Sequence, residues 1–151
     1  MNDKILELAN IIKNSKHLVF FTGAGVSTES GLKSFKGKDG LYSSLYKGKY
    51  QPEEILSSDF FFSHRDIFNE YVEKVLNVNG IKPNKGHYAL AELEKKGILK
   101  AIITQNIDDL HQMAGSKNVL ELHGSLKRWY CLACNKKSTH FFSCDCGGIV
   151  R

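Results

Sequence analysis

The sequence predicts an α/β fold built on a parallel sheet, and three observations predict it. Short apolar runs recur at Leu18-Val19-Phe20-Phe21, Leu99 to Ile103 and Val119 to Leu122, each bounded by glycine or polar residues. Stretches with a helical apolar period lie between them, as βαβ units require. The first run leads straight into Thr22-Gly23-Ala24-Gly25-Val26-Ser27-Thr28-Glu29-Ser30-Gly31. At such a strand-then-glycine junction a dinucleotide's phosphates can meet backbone amides, because Gly23 and Gly25 lack the Cβ that would fill the space.

The elements follow in order. Residues Asp3 to Lys16 place Ile5, Leu8 and Ile12 on one face, widened by Leu6, Ala9 and Ile11, so a helix packed on the sheet is expected. After the first strand and the glycine turn, Gly31 to Tyr50 holds glycines at 37, 40 and 48 among lysines and serines without a period, and reads as a mobile loop. Pro52 before Glu53 and Glu54 marks the start of a short helix. Ser63-x-x-Asp66 resembles a capping box opening a helix with Ile67, Phe68, Tyr71, Val72, Val75 and Leu76 as its apolar stripe, and Gly80 lies just past its end. Pro83-Asn84 forms a turn. His87 to Lys96 then predicts a helix with Ala89, Leu90 and Leu93 inward, stopped by Gly97. A strand over Leu99 to Ile103, a helix from about Asp108 to Met113 and a strand over Val119 to Leu122 complete a parallel succession.

Composition narrows the function class. A chain of 151 residues with 42% hydrophobic and 25% charged residues can bury one modest core, which argues against a disordered or fibrous protein. Met1-Asn2-Asp3-Lys4 lacks the basic start and long apolar core of a secretory signal. No apolar run approaches the roughly 20 residues that span a bilayer, so a cytoplasmic protein without a membrane partner is expected. The formal charge of +5 lacks a dense Lys/Arg block interleaved with aromatics, so a solvated surface is expected rather than a nucleic-acid interface.

Cys131-x-x-Cys134 and Cys144-x-Cys146 form two close pairs in a segment with few aliphatic residues. Four thiolates around one structural Zn²⁺ would supply the missing core, with no open position for water. Disulfides or free thiols are the alternative, disfavoured by close clustering in a reducing compartment. His140 is a possible substitute ligand, though more simply a surface residue. The division expected is 1–125 for the sheet domain and 126–151 for the cysteine module.

Two further segments carry chemistry. Thr104-Gln105-Asn106-Ile107-Asp108-Asp109-Leu110-His111 follows the second apolar run, and Leu122-His123-Gly124 follows the third. Ligands of open parallel sheets bind at the carboxyl ends of strands, so these segments and the glycine turn converge on one crevice if their strands are neighbours. An ordinary hydride-transferring dehydrogenase is disfavoured, because Thr28 stands where the usual fingerprint has its third glycine and no strand ending in an acidic residue follows about 20 residues on. The glycine turn, the Thr-Gln-Asn-Ile-Asp segment, the His-Gly pair and the four-cysteine module, in this order, resemble the sirtuins, the NAD-dependent protein deacylases. The resemblance covers nearly the whole chain. It implies the first, incomplete half of a Rossmann-like parallel sheet with an inserted small zinc-binding module.

The resemblance also implies roles. NAD is a consumed co-substrate: nicotinamide leaves, and the acyl oxygen of an acyl-lysine peptide captures the ribose carbon. Gly23, Ala24, Gly25, Ser27 and Thr28 would touch the cofactor, Phe35 would wall the reactive ribose, and Gln105 and Asn106 would lie on the ribose side. Ile107 and Asp108 would hold the nicotinamide carboxamide, which offers both a donor and an acceptor. His123 would be the general base that takes a ribose hydroxyl proton, releasing an O-acyl-ADP-ribose. Plainer readings stand beside these: His123 as a strand-end cap, Asp108 as a helix cap with Asp109 aiding the dipole, Phe35 as a loop anchor, and His17, His64, His87 and His111 as structural or surface residues.

Where the family usually reads Gly-Ile-Pro-Asp-Phe-Arg-Gly, this chain reads Gly31-Leu32-Lys33-Ser34-Phe35-Lys36-Gly37. Lys36 lacks arginine's planar fork and Ser34 lacks a carboxylate, which implies altered ordering of the cofactor loop. ADP-ribosyl transfer or NAD hydrolysis is the alternative enzymatic reading. A non-catalytic zinc-containing remnant that binds nucleic acid or protein through Lys127, Arg128, Trp129 and Tyr130 is the other. Sirtuins continue beyond a point equivalent to Arg151, so the resemblance implies a truncated chain with impaired activity.

Overall fold

The computed structural model describes residues 3–151. In chain order the elements are α1 (Asp3–Asn14), β1 (Leu18–Thr22), a 3-10 helix (Ala24–Ser30), α2 (Pro52–Ile55), α3 (Ser58–Ser63), α4 (Arg65–Val75), α5 (Lys85–Lys95), β2 (Leu99–Thr104), α6 (Leu110–Met113), β3 (Val119–Glu121), β4 (Trp129–Tyr130) and β5 (Lys137–Ser138), with a further 3-10 turn at Leu41–Ser43. They form two compact units. The first comprises the described residues up to Val26 with Lys82–Arg151, and the second is Ser27–Ile81.

In the first unit the strands lie in the order β1-β2-β3, all parallel. Thr22 pairs with Thr104 and Thr104 with Glu121, so the three strands end in one row. Two backbone bonds extend the ladders past that row, Gln105 N–H to Thr22 O at 3.0 Å and Leu122 N–H to Thr104 O at 2.9 Å. The core beneath is Leu90, Leu99 and Ile102, with Leu18, Leu93 and Val119 packed against it.

Helix α5 begins two residues before the position its apolar period suggests, because Asn84 caps it. Asn84 Oδ1 accepts from Gly86 N at 2.9 Å, and the Asn84 N–H donates to His87 Nδ1 at 3.2 Å. His87 and Leu90 turn inward, and Ala89, expected inward, is exposed. Helix α1 forms where its periodicity predicts, yet none of its residues is buried. Ile5, Leu6, Leu8 and Ile11 are exposed, as are Val19, Phe20 and Phe21 of β1, so the expected packing of α1 on the sheet is not met. Periodicity marks an apolar face but not what covers it.

The second unit contains the irregular segment after Gly31 and the helices α2 to α4. The segment is a loop, as expected, but an internally bonded one: Leu41 N–H donates to Ser34 O and Tyr42 N–H to Phe35 O, both at 2.9 Å, and Tyr46 bridges Tyr50. A Cβ on Gly40 would come within 2.8 Å of the Phe35 and Lys36 backbone, so only glycine fits there. Pro52 opens α2 as predicted. The expected capping box at Ser63 and Asp66 is not made. Ser63 is the last residue of α3, its Oγ donates to Asp59 O at 2.7 Å, and His64 precedes α4 without a side-chain cap. Helix α3 itself was not expected; Ser57 caps it, accepting from Phe60 N at 3.2 Å. The α4 stripe behaves as predicted, with Tyr71 fully buried and Leu76 just beyond the helix buried as well.

Candidate active site

The row of strand ends in the first unit brings the glycine turn, residues 105–108 and His123 to one edge of the sheet. Neither Gly23 nor Gly25 has a positive φ. Their value is space: a Cβ on Gly25 would meet no atom within 4 Å, and one on Gly23 would sit at ordinary contact distance from Gln105 Oε1, 3.6 Å. Beyond the turn, Val26 O accepts from Asn84 Nδ2 at 2.7 Å, which ties the turn to the start of α5. Ser27, Thr28 and Phe35 belong to the second unit. There Ser27 is buried, Thr28 is exposed, and the Phe35 ring lies 5.4 Å from that of Tyr42. Ser34 Oγ donates to Lys36 O at 2.6 Å.

After β2 the chain alternates between exposed and buried positions. Gln105 is exposed, Asn106 buried, Ile107 half-buried and Asp108 buried. Asn106 N–H donates to Thr104 Oγ1 at 3.0 Å, and Asp108 Oδ1 accepts from Leu110 N at 3.0 Å. Helix α6 starts at Leu110 with Asp109 as its N-cap residue and no side-chain cap bond, so the plainer reading of Asp108 as the N-cap is not met, although its carboxylate does accept from the first helical N–H. Between them Asp109 adopts φ 65°, a left-handed conformation that aspartate tolerates better than most residues. Burial pushes the Asp109 carboxyl up, against the pull of Arg128 and Lys127.

His123 stands exposed at the turn after β3, with Gly124 at φ 80°. Its Nδ1 lies 3.0 Å from Gln105 O. A carbonyl only accepts, so Nδ1 carries the proton and donates, leaving the Nε2 lone pair free to take a proton. Leu126 N–H donates to Ile107 O at 3.0 Å, so residues 122–126 are held against 104–107 at both ends.

Two buried histidines lie behind this edge. The His87 and His111 rings are 4.8 Å apart, and neither His111 nitrogen has a hydrogen-bond partner among the described residues. Burial, with His87 beside it, holds His111 down to about 4, and burial also lowers His87, so both rings are neutral at neutral pH.

The cysteine module is built on the β4–β5 hairpin, closed by Tyr130 and Arg151 exchanging backbone bonds at 2.8 and 2.9 Å. The sulfur atoms of Cys131, Cys134, Cys144 and Cys146 all lie within 4.8 Å of one another, with the shorter pairs at 3.4 to 3.5 Å. Four sulfurs at about 2.3 Å from one Zn²⁺ sit roughly 3.8 Å apart, so the set fits a tetrahedral ion. Backbone N–H groups of Cys134 and Ala133 hold the Cys131 thiol down to about 6, while burial and the neighbouring sulfurs push Cys144 up to about 12 and raise Cys146, so one thiolate forms readily and an ion would have to displace protons from the others. The Cys-x-Cys spacing of the second pair does not prevent convergence. His140 stays outside the cluster, with Nδ1 2.9 Å from Thr139 Oγ1.

Sequence reasoning did not single out Asn84, Gly148 or Glu121. A Cβ on Gly148 would lie 2.6 Å from Cys131 Sγ, so glycine is required at the sulfur cradle. Glu121 accepts from Gln112 Nε2 at 2.8 Å and pairs with Arg128. Its position two residues before His123 was the one available signal.

Comparison with known proteins agrees with this fold. The model of the Sir2 family matches residues 23–143. An NAD-dependent protein deacetylase of Fusobacterium nucleatum is 73% identical over 150 residues, covering 99% of this chain and 60% of that protein. Its counterpart in Clostridium acetobutylicum is 48% identical, covering 99% of this chain and 65% of its own length. The chain thus spans about three fifths of the length of the relatives it matches. Among solved structures, a Sir2 complex with a deacetylated p53 peptide and 3′-O-acetyl ADP-ribose is 38% identical with a TM-score of 0.84, covering 97% of this chain and 63% of that one. A Sir2 homologue with NAD is 43% identical with a TM-score of 0.79, covering 100% and 60%.

Proposed function

The chain belongs to the Sir2 family, and from that premise we propose that it carries the nicotinamide side and the base of an NAD-dependent protein-lysine deacylase. The observation that carries the reading is His123 donating through Nδ1 to Gln105 O, which aims a free Nε2 outward beside the 105–108 segment.

In the proposed reaction Ile107 and Asp108 grip the nicotinamide carboxamide of NAD and hold its ring in a geometry that favours departure. Nicotinamide leaves with the bonding electron pair, and the acyl oxygen of the substrate lysine bonds to the ribose carbon. His123 Nε2 then accepts a ribose hydroxyl proton, so that this oxygen attacks the acyl carbon. Water completes release of the free lysine and an O-acyl-ADP-ribose. Gln105 and Asn106 serve the ribose. Gly23, Ala24, Gly25, Ser27 and Thr28 serve the phosphates and adjoining sugar, and Phe35 shields the reacting carbon from water. A Zn²⁺ held by Cys131, Cys134, Cys144 and Cys146 is structural, since four sulfurs leave it no open position.

The substrate is an acyl-lysine protein or peptide, and the setting is cytoplasmic. In support, none of the four cysteines is joined in a disulfide, and among the described residues no helix is long and apolar enough to cross a membrane. Activity of the 151-residue chain by itself is proposed to be low, given the uncovered apolar residues of α1 and β1. Nicotinamide release from NAD, measured with and without an acetyl-lysine peptide in the complete native polypeptide, tests the reaction class. Strong dependence on peptide is expected, whereas equal release without it would replace deacylation by NAD hydrolysis.

A further inference from the structure

The strand end that bears His123 is braced by a carboxylate with no role in the chemistry above. The Glu121 side chain is only 3% exposed. A buried carboxylate is costly unless charged or hydrogen-bonding partners surround it, and both Glu121 oxygens have one. Oε1 accepts from Gln112 Nε2 on α6 at 2.8 Å, and Oε2 pairs with the Arg128 guanidinium at the root of the cysteine module. Its backbone pairs with Thr104 of β2. Glu121 therefore joins the three pieces of chain around His123: the segment leading from residues 105–108 into α6, the strand before the base, and the stem of the module after it.

We propose that Glu121 is a positioning residue for His123, its buried carboxylate fixing the 122–126 turn so that His123 Nδ1 stays on Gln105 O and Nε2 faces the substrate ribose. The proposal rests on the reading of His123 as the base. Leu122 N–H to Thr104 O and Leu126 N–H to Ile107 O pin residues 122–126 to 104–107, and the His123 bond to Gln105 O lies between these pins. Gly124, at φ 80°, adds no side chain to stiffen the turn. Through Glu121 the Arg128 pair gives the cysteine module an indirect hold on the base, so loosening the module is expected to loosen His123. A displacement near 1 Å at a reacting group costs on the order of 100-fold in rate, so a partial loss of the brace is expected to cost about 10-fold.

The test separates two steps of one reaction in the complete, zinc-loaded polypeptide. Exchange of labelled nicotinamide into NAD in the presence of acetyl-peptide reports the bond cleavage that precedes proton transfer to His123. Formation of O-acetyl-ADP-ribose requires that transfer. Glu121→Gln is expected to lower product formation about 10-fold while exchange stays within about 2-fold, the pattern His123→Ala shows more strongly. Gln112→Leu, which keeps the Arg128 pair, is expected to show the same split at about 3-fold and serves if Glu121→Gln does not fold. Equal loss of both rates, or of neither, overturns the proposal. If His123→Ala itself fails to split them, the base assignment falls instead, and ¹⁵N shifts of the His123 ring decide on Glu121. Departure from the Nδ1–H tautomer in Glu121→Gln supports the brace; an unchanged tautomer refutes it.

Discussion

Around β2, Leu90, Leu99 and Ile102 close an apolar core under the site, whereas between Trp129 and Arg151 only Cys131 and Val150 are buried. Both regions belong to the first unit, but they keep their shapes by different means. The sheet is held by area removed from water, which every solvent condition near neutrality preserves. The module has a two-residue-per-strand hairpin, a Trp129–Phe141 ring contact at 5.2 Å and an exposed Lys136–Asp145 pair, none of which holds a fold alone. Its four sulfurs are its core. With Zn²⁺ in that set, the module's order would be conditional on the metal, as that of the sheet is not.

The largest effect that would break this comparison comes from the sulfurs. Cys131→Ala is expected to abolish zinc binding, a linkage worth on the order of 10 kcal/mol, and to erase amide protection of β4 and β5 while β2 stays protected. His140→Ala should leave zinc content unchanged. Both are read by metal analysis and hydrogen exchange. Full zinc content in Cys131→Ala would remove the metal core from the account.

The reciprocal test cuts the sheet. Ile102 is fully buried, and Ile102→Ala is expected to cost about 2 to 5 kcal/mol in denaturant unfolding while the folded fraction keeps its zinc.

Acid sharpens the contrast further. His111 is held near 4 in the folded state against about 6.5 unfolded, so between these values the unfolded chain binds more protons. The stability His111 permits is complete above pH 6.5 and falls as pH drops toward 4, by up to about 3 kcal/mol. In a Cys131→Ala background, which removes the thiolates' own acid sensitivity, His111→Phe should flatten the sheet's pH profile over that window.

The smallest effect is at the α5 cap. Asn84→Ala is expected to cost about 1 kcal/mol, through Gly86 N, and to loosen the glycine turn by freeing Val26 O. Thermal unfolding and exchange at residues 23–26 would measure it.

What was legible in the sequence follows the same physics. Strand ends could be located because apolar runs stop abruptly before Thr22, Thr104 and His123, and a parallel sheet sends such ends to one side. Cysteine spacing announced a four-sulfur set because two close pairs have few other uses. The inner face of α5 was legible at Leu90, which lies in the core, and at Leu93, which packs against it, but not at Ala89, which is exposed. Glu121 was hidden because its partners Gln112 and Arg128 become neighbours only when β3, α6 and the module root meet. For α1, Ile5, Leu8 and Ile12 declared an apolar face without declaring its cover.

The chemistry proposed for this row of strand ends, with His123 as base, is acyl transfer to NAD-derived ribose. Its most direct measurement is mass spectrometry of the products when the complete native polypeptide meets NAD and an acetyl-lysine peptide. The account predicts O-acetyl-ADP-ribose in equal amount to nicotinamide and deacetylated peptide, and none of it from His123→Ala. Undiminished O-acetyl-ADP-ribose from His123→Ala, or free ADP-ribose as the sole sugar product of the unaltered protein, would contradict it.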